Sequence, residues 1–137
     1  MIIGYTTGVF DLFHVGHLNI LRAAKKICDI LIVGVSTDEL VWQYKKKKPV
    51  ISFQDRIEIV RSIKYVDVAI PQNTLDKIEA AKKLKFNLII VGDDWYNSEK
   101  WNKEEAELKN YNIKVIYLPY TSGISSTEVK KQLKMRT

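Results

Sequence analysis

Apolar and polar positions alternate in blocks along this chain. Five short apolar runs predict buried strands at residues 2–7, 29–36, 66–71, 87–92 and 113–118. Between them, apolar residues recur at helical spacing in residues 16–27, 55–63 and 74–85, residues 101–110 predict a polar helix, and a last helix is predicted after residue 127. Strands that alternate with helices in this way predict an α/β domain with a five-stranded, mainly parallel sheet covered by helices on both faces.

Each predicted strand but one is followed by a stretch of unusual composition. These stretches are residues 7–17, 36–48, 92–95 and 119–127. In open parallel sheets, ligands bind beyond the carboxyl ends of the strands. Because the four stretches all fall at that edge, the sequence predicts a ligand site there.

Composition narrows the class of ligand. The chain has 137 residues, with 46% hydrophobic and 28% charged residues and a net charge of +6. This length and composition are typical of one globular domain over residues 1–137, and the charge suits an anionic partner such as a nucleotide, a phosphorylated metabolite or a nucleic acid. A nucleic-acid partner is not expected, because the one basic run is a single short segment, Lys45–Lys48.

The chain is expected to work in the cytoplasm. It contains no apolar run near the roughly 20 residues that span a bilayer, and its first residues do not resemble a secretory signal. Membrane insertion is therefore not expected. The one cysteine, Cys28, excludes an intrachain disulfide and is interpreted as a small core residue.

The first unusual stretch contains both histidines of the chain. His14 and His17 are three residues apart at a predicted helix start, where backbone N–H groups and the helix dipole favour an anion. Gly8 and Gly16 would let the backbone approach a ligand closely. A pair of capping histidines and a metal pair are the alternatives, although zinc would need further His or Cys ligands. Phosphate contact is favoured over both.

These residues resemble a known family. Residues 8–17, with His14-Val15-Gly16-His17, match the HxGH signature of the nucleotidyltransferase superfamily, and Ile124-Ser125-Ser126-Thr127 matches its second signature. Residues 64–67 resemble a segment of its cytidylyltransferase branch, and residues 92–95 resemble the glycerol-3-phosphate cytidylyltransferases. The resemblance covers nearly the whole chain and implies a Rossmann-like fold.

The resemblance implies an enzyme that transfers CMP from CTP to a small phosphorylated alcohol and releases pyrophosphate. It implies sn-glycerol 3-phosphate as the leading acceptor, Mg²⁺ carried mainly by the CTP phosphates, no metal bound by protein ligands alone, and a homodimer. The catalytic residues it implies are His14, His17, Lys45 and Ser125. The nucleotide-binding residues are Thr7, Gly8, Val9, Phe10, Gly16, Asp93, Asp94, Trp95, Tyr120, Gly123, Ile124, Ser126 and Thr127. The substrate-binding residues are Lys45, Lys47, Lys64 and Asp67, whereas Lys46 and Lys48 are expected to be solvated.

Two positions depart from the family pattern and leave the acceptor open. Lys64 and Tyr120 each stand where relatives commonly have arginine. Lysine keeps the charge but loses the bidentate fork of arginine. The alternatives are a cytidylyltransferase for another acceptor (a polyol phosphate, phosphocholine or phosphoethanolamine), an adenylyltransferase, and a nucleotide-binding protein without catalysis.

Overall fold

The computed structural model of the chain describes residues 1–92 and 98–119. The strands are β1 (Ile3–Gly8), β2 (Ile30–Ser36), β3 (Val68–Gln72), β4 (Leu88–Gly92) and β5 (Lys114–Leu118). The helices are α1 (Val15–Lys26), α2 (Asp38–Lys45), α3 (Phe53–Arg61), α4 (Lys77–Leu84) and α5 (Glu99–Lys109). No helix within these residues combines the length and the apolar character that a membrane span requires.

The five strands form one sheet in the order β3-β2-β1-β4-β5, and every pair is parallel. This confirms the predicted α/β architecture. Chain order reverses between β1 and β4, because the chain winds outward from β1 to β3 and then crosses to the other side. The carboxyl ends of β1 and β4 therefore flank the switch point at which parallel sheets bind ligands.

Two apolar clusters cover opposite faces of the sheet. Successive strand residues point to opposite faces, so Val33 packs in one cluster and Ile32 in the other. The first cluster contains Leu21 of α1 and Val60 of α3, so these helices share a face. The second contains residues of α4 and α5, namely Ala81, Trp101 and Leu108. The prediction of helices on both faces is confirmed.

The segment that contains the lysine run is more helical than the sequence suggests. Residues 36–39 predict a loop or a short helix, whereas α2 continues to Lys45. Thr37 caps this helix by accepting a hydrogen bond from the N–H of Leu40, and Lys46 ends it with φ of 56°. The first lysine of the run, Lys45, is therefore the last residue of α2, and Lys46 ends the helix in the left-handed backbone conformation.

Candidate active site

A cavity of about 550 Å³ opens at the carboxyl edge of β1, β2 and β4. Its walls come from the turn after β1, the lysine segment after β2 and the helices on the far side of β4. Among the described residues, the lining is Thr6, Thr7, Gly8, Val9, Phe10, Asp11, His17, Ile20, Ser36, Val41, Tyr44, Lys45, Lys47, Lys48, Pro49, Gln72, Leu75, Lys77, Ile90, Val91, Gly92, Lys100 and Trp101. The predicted ligand edge thus carries a pocket.

The turn after β1 has a constrained backbone. Phe10 and Leu12 adopt positive φ angles of 55° and 51°, which side-chain-bearing residues rarely do. Gly8 packs tightly beside them, because a Cβ at this position would lie 3.0 Å from two ring atoms of Phe10, so the ring would have to shift. Such strain is concentrated at functional sites. The turn holds the Phe10 ring against the imidazole of His17, with ring centres 5.4 Å apart.

The two histidines cap α1 reciprocally. His14 is the N-cap, and its Nδ1 accepts a hydrogen bond from the N–H of Gly16 at 3.0 Å. The Nδ1 of His17 accepts one from the N–H of His14 at 3.2 Å. The two rings stack with centres 3.9 Å apart. The structure therefore shows the capping role that was the alternative interpretation, and the Nε2 atom of each ring takes no part in the capping hydrogen bonds.

This geometry sets the protonation of both rings. A nitrogen that accepts an N–H hydrogen bond carries no proton, so each neutral ring must carry its proton on Nε2. Burial lowers the pKa of His14. Burial first, and then the charge of His14, lowers the pKa of His17 to about 4, against the opposing effect of Asp11. The Nε2 of His14 is buried without a hydrogen-bond partner among the described residues. Both rings are thus neutral Nε2–H donors near neutral pH.

Asp11 joins this turn to the lysine segment. Its buried carboxylate accepts hydrogen bonds from the N–H of Val50 at 2.8 Å and from the N–H of Ile51 at 2.9 Å. Both donors come directly after the lysine run and Pro49. The end of the lysine segment is therefore fixed to the turn that carries the histidines.

Arg56 also connects the turn after β1 to the end of the lysine segment. Its side chain is fully buried, and it donates to the carbonyl oxygens of Val9 (2.7 Å), Ser36 (2.8 Å) and Ile51 (2.9 Å). It also forms an ion pair of 2.6 Å with the carboxylate of Asp38. One guanidinium thus ties together the residues that follow β1 and β2 and the start of α3. Sequence reasoning assigned no role to Asp11 or Arg56, because their importance lies in burial and in partners distant along the chain.

The lysine segment divides between pocket and solvent. Lys45 and Lys47 line the pocket and Lys46 does not; the substrate-binding role that the resemblance implies for the first two stays a prediction. Lys48 also lines it, although it was expected to be only solvated. Tyr44 lines the pocket as well, and burial raises the pKa of its hydroxyl.

The opposite wall carries residues that sequence reasoning missed. Lys77 begins α4, and Lys100 and Trp101 lie in the first turn of α5. The Lys77 ammonium lies 5.3 Å from the centre of the Trp101 ring. Their helical patterns were recognised, but helical spacing does not show which polar residue of a first turn faces a pocket.

The structure brings together most of the described residues that were predicted to act. Those lining the pocket are Thr7, Gly8, Val9, Phe10, His17, Lys45 and Lys47. His14 stacks on His17, and Gly16 lies buried in the first turn of α1, where its N–H fixes His14. The predicted residues Asp93, Asp94, Trp95, Tyr120, Gly123, Ile124, Ser125, Ser126 and Thr127 lie outside the described residues, as does the predicted last helix.

Lys64 and Asp67 are not brought into the pocket of this chain. Asp67 precedes β3 at the amino edge of the sheet, where its carboxylate accepts hydrogen bonds from Lys25 Nζ and from the N–H of Leu31, both at 2.7 Å. Lys64 lies over the ring of Tyr65, 5.2 Å from its centre. Asp67 thus forms its ion pair with Lys25 and not with Lys64, and a substrate-binding role for Lys64 and Asp67 stays a prediction.

Some potential metal ligands in this region already accept backbone hydrogen bonds. Within residues 1–92 and 98–119, no three His, Cys, Asp or Glu side chains form a group that could hold a metal. The Asp11 carboxylate and the Nδ1 atoms of both histidines accept backbone N–H groups.

Comparison with solved structures supports a shared fold. A lipopolysaccharide core biosynthesis protein from Thermoplasma volcanium has a TM-score of 0.73 and 28% sequence identity, over 88% of this chain and 97% of that one.

The curated relatives of this chain include two kinds of enzyme. A glycerol-3-phosphate cytidylyltransferase from Bacillus spizizenii is 43% identical over 93% of this chain and 94% of its own length. An FAD synthase from Thermococcus kodakarensis is 40% identical over 82% of this chain and 76% of its own length. The model of the cytidylyltransferase-like family matches residues 5–132. With a pocket lined by His17 and several lysines at the switch point of a parallel sheet, the chain belongs to the cytidylyltransferase-like family of nucleotidyltransferase enzymes.

Proposed function

We propose that this enzyme transfers the cytidylyl group of CTP to a small phosphorylated alcohol, with sn-glycerol 3-phosphate as the first acceptor to test. The observation that carries the transfer chemistry is the pair of Nε2–H donors at the start of α1, beside a pocket that presents lysines. The choice of CTP and of glycerol 3-phosphate is supported by the relative that matches over nearly the whole length of both chains.

The proposed reaction is an in-line substitution at phosphorus. A phosphate oxygen of the acceptor attacks the α-phosphorus of CTP and forms a new P–O–P bond. The bond from the α-phosphorus to the bridging oxygen breaks, and its electron pair leaves with pyrophosphate. Such transfers depend on positioning and on stabilisation of charge more than on a protein nucleophile.

The residues in and beside the pocket suit these two requirements. His14 and His17 would donate Nε2–H hydrogen bonds to phosphate oxygens, which gain charge as the bond breaks. Lys45 and Lys47 would neutralise the triphosphate. Bound Mg²⁺ would neutralise further charge on the triphosphate and orient it. Ser125 and the other predicted residues of the second signature remain part of the proposal, as does a homodimer.

A second candidate is adenylyl transfer. FAD synthases are among the relatives, and FAD contains an adenylyl group joined to a flavin phosphate. The same histidines and lysines would serve either reaction, because both join a nucleoside monophosphate to a phosphomonoester. The shorter match to this relative favours the cytidylyl reaction as the first candidate.

A screen of pyrophosphate release separates these functions. The purified chain is combined with Mg²⁺, one of CTP, ATP, GTP or UTP, and one of glycerol 3-phosphate, a polyol phosphate, phosphocholine, phosphoethanolamine or FMN. We expect the highest kcat/KM for CTP with glycerol 3-phosphate. A preference for ATP with FMN would replace the first candidate by the second. Tight binding of CTP without turnover of any acceptor would identify a non-catalytic nucleotide-binding protein.

A further inference from the structure

Three hydrogen-bonded side chains line the pocket where β2 and β3 end. Ser36 and Gln72 are paired in register across these strands, and Ser36 Oγ donates a hydrogen bond to Gln72 Oε1 at 2.8 Å. The hydroxyl of Tyr44, in the last turn of α2, forms a hydrogen bond with the Ser36 side chain. All three residues belong to the pocket lining. The network therefore connects the edge of the sheet to the helix that leads into the lysine segment.

The members of this network differ in exposure. Ser36 is 2% exposed and Gln72 is 6% exposed, whereas Tyr44 is 40% exposed. Gln72 is held a second time, because its Nε2 donates to the carbonyl oxygen of Thr74 at 3.2 Å. The two buried residues thus fix the inner end of the network, and Tyr44 is the member that a ligand can reach.

The direction of the hydrogen bonds determines what Tyr44 offers to a ligand. Burial raises the pKa of the Tyr44 hydroxyl, so this group keeps its proton near neutral pH. Ser36 has one hydroxyl proton, and Gln72 accepts it, so the bond between Tyr44 and Ser36 uses the proton of Tyr44. The Tyr44 oxygen then has a lone pair that can accept a further hydrogen bond. A hydroxyl group of a ligand is a complementary donor.

The network lies away from the side of the pocket that is expected to hold the nucleotide. In the strand order β3-β2-β1-β4-β5, β1 separates β4 from β2. Residues 93–95, which the resemblance assigns to the nucleotide, follow β4 in the sequence. The ends of β2 and β3 are thus the part of the pocket that remains for the acceptor.

Charge limits the class of acceptor that fits beside Tyr44. Three lysines of the lysine run line the pocket, and the charge of Arg56 also acts on the Tyr44 hydroxyl. Within residues 1–92 and 98–119, Asp11 is the one carboxylate of the lining, and it already accepts two backbone N–H groups. A cationic acceptor would meet like charges here. A quaternary ammonium group, in addition, has no proton to donate to the Tyr44 oxygen.

We propose that the Tyr44 hydroxyl, positioned by Ser36 and Gln72, accepts a hydrogen bond from an alcohol group of the acceptor. The inference rests on the proposed function and narrows its substrate class to phosphomonoesters that carry free hydroxyl groups. Glycerol 3-phosphate and polyol phosphates belong to this class, as does FMN through its ribityl chain. Phosphocholine and phosphoethanolamine do not. Buried polar groups that require a hydroxyl discriminate strongly against an analogue that lacks it.

The test measures the preference for glycerol 3-phosphate over propyl phosphate, the same phosphomonoester without hydroxyl groups, as a ratio of kcat/KM values. Tyr44→Phe removes the hydroxyl and keeps the ring, which lies 5.6 Å from the Lys45 ammonium. The wild type should prefer glycerol 3-phosphate, and Tyr44→Phe should reduce that preference by about 3- to 10-fold, the effect of one neutral hydrogen bond. The KM for CTP should not change. Tyr111→Phe is the matched control, because Tyr111 is exposed and outside the described pocket lining, and it should change neither property.

Ser36→Ala tests the positioning role. It removes the oxygen to which Tyr44 donates, so it should reduce the same preference. Because both substitutions act through one hydroxyl, the double variant should lose no more of the preference than Tyr44→Phe alone. A merely structural defect would weaken turnover of both acceptors alike. If thermal melting shows that Ser36→Ala is misfolded, Tyr44→Phe decides the matter.

Three results would overturn the assignment. They are a preference that Tyr44→Phe leaves unchanged, an equal loss for both acceptors, and turnover of phosphocholine as efficient as that of glycerol 3-phosphate. If FMN is the acceptor that is turned over, Tyr44→Phe should raise the KM for FMN and leave that for ATP unchanged, and an unchanged KM for FMN would overturn the assignment.

If no acceptor is turned over, the proposed function fails separately. Calorimetric titration in the presence of CTP then judges the role of Tyr44. Binding of glycerol 3-phosphate that is tighter than that of propyl phosphate, and weaker in Tyr44→Phe, supports it. Equal binding of the two compounds, or no binding of either, overturns it.

Discussion

The imidazoles of His14 and His17 stack with their centres 3.9 Å apart, and each directs Nδ1 to a backbone N–H group of the same helix start. Capping and phosphate binding therefore use different nitrogens of the same rings. This division allows the structural role of each histidine to be separated from its proposed chemical role by substitution.

Asparagine should keep the cap and remove the chemistry. In His14→Asn and His17→Asn, the side-chain oxygen can still accept a backbone N–H, but no donor remains at the position of Nε2. We expect thermal stability close to that of the wild type and a turnover lower by roughly 10²–10³-fold, the usual effect of losing one donor that stabilises a transition state. Steady-state pyrophosphate release and thermal melting measure the two properties. The corresponding alanine variants should lose activity and also about 1 kcal/mol of stability. Near-normal turnover in the asparagine variants would refute the proposed role.

Stability should decrease as the pH falls below the usual pKa of histidine. The folded chain lowers the pKa of His14 and lowers that of His17 from 6.5 to about 4. Between these values, the unfolded chain binds more protons than the folded chain. The contribution of these rings is thus fully present above about pH 6.5 and is lost as the pH falls toward 4. Urea denaturation across this range should show the decline, and His17→Asn should show less of it. An equal decline in both proteins would assign the effect to other groups.

Asp11→Asn should loosen the lysine segment. Its carboxylate accepts two backbone N–H groups, from Val50 and Ile51, and an amide offers one oxygen in place of two. An unsatisfied buried donor costs about 1–3 kcal/mol, so the free energy of unfolding should fall by that amount. The KM for CTP should rise because Lys45 and Lys47 lose their fixed position. Urea denaturation and kinetics test both effects. Asp55→Asn, at an exposed position in α3, is the control that should change neither.

The lysine segment itself offers an internal comparison. Lys45→Ala and Lys47→Ala remove charges that line the pocket, whereas Lys46→Ala removes one that does not. The first two should raise the KM for CTP or lower kcat by about tenfold each, as expected for a charge-assisted hydrogen bond. Lys46→Ala should behave like the wild type. Equal effects in all three variants would indicate general electrostatic attraction. The difference between the variants and the wild type should then disappear at high salt.

Arg56→Met should be the most destabilising of these substitutions. It removes a fully buried guanidinium and leaves the carbonyl oxygens of Val9, Ser36 and Ile51 without that donor. Breaking a buried charge network typically costs about 3–5 kcal/mol. Chemical denaturation measures the loss, and Arg61→Met, on an exposed part of α3, should lose much less. A loss below about 1 kcal/mol in Arg56→Met would contradict the role assigned to this residue.

The sequence predicts the sheet well because its signals are local. Apolar runs gave all five strands to within about two residues. The strand order is a separate matter, because it depends on contacts between elements that no single run contains. The start of α4 shows the limit at finer scale: the apolar stripe of residues 74–85 predicts a helix, but the helix begins at Lys77, where Asp76 supplies the cap.

Some residues of the candidate site could likewise be predicted from the sequence, and others could not. His17, Lys45 and Lys47 belong to contiguous motifs, and their place in the pocket could be predicted. Lys77 and Lys100 could not, because 22 intervening positions and a strand separate them in the chain, and only the crossing from β3 to β4 brings their helices to one wall. Asp11 lies inside the first motif, yet its task depends on Val50 and Ile51, which no local pattern connects to it.

The position of Arg56 also has a consequence for synthesis of the protein on the ribosome. A nascent chain that has emerged only as far as residue 51 already contains both histidines and the whole lysine run. It lacks the guanidinium that holds Val9, Ser36 and Ile51 together, so it cannot yet hold the turn and the lysine segment in their final relation. The turn and the lysine segment are synthesised first, but they can reach their final arrangement only after Arg56 has been added. We therefore expect the nascent chain to bind a nucleotide only after α3 has emerged.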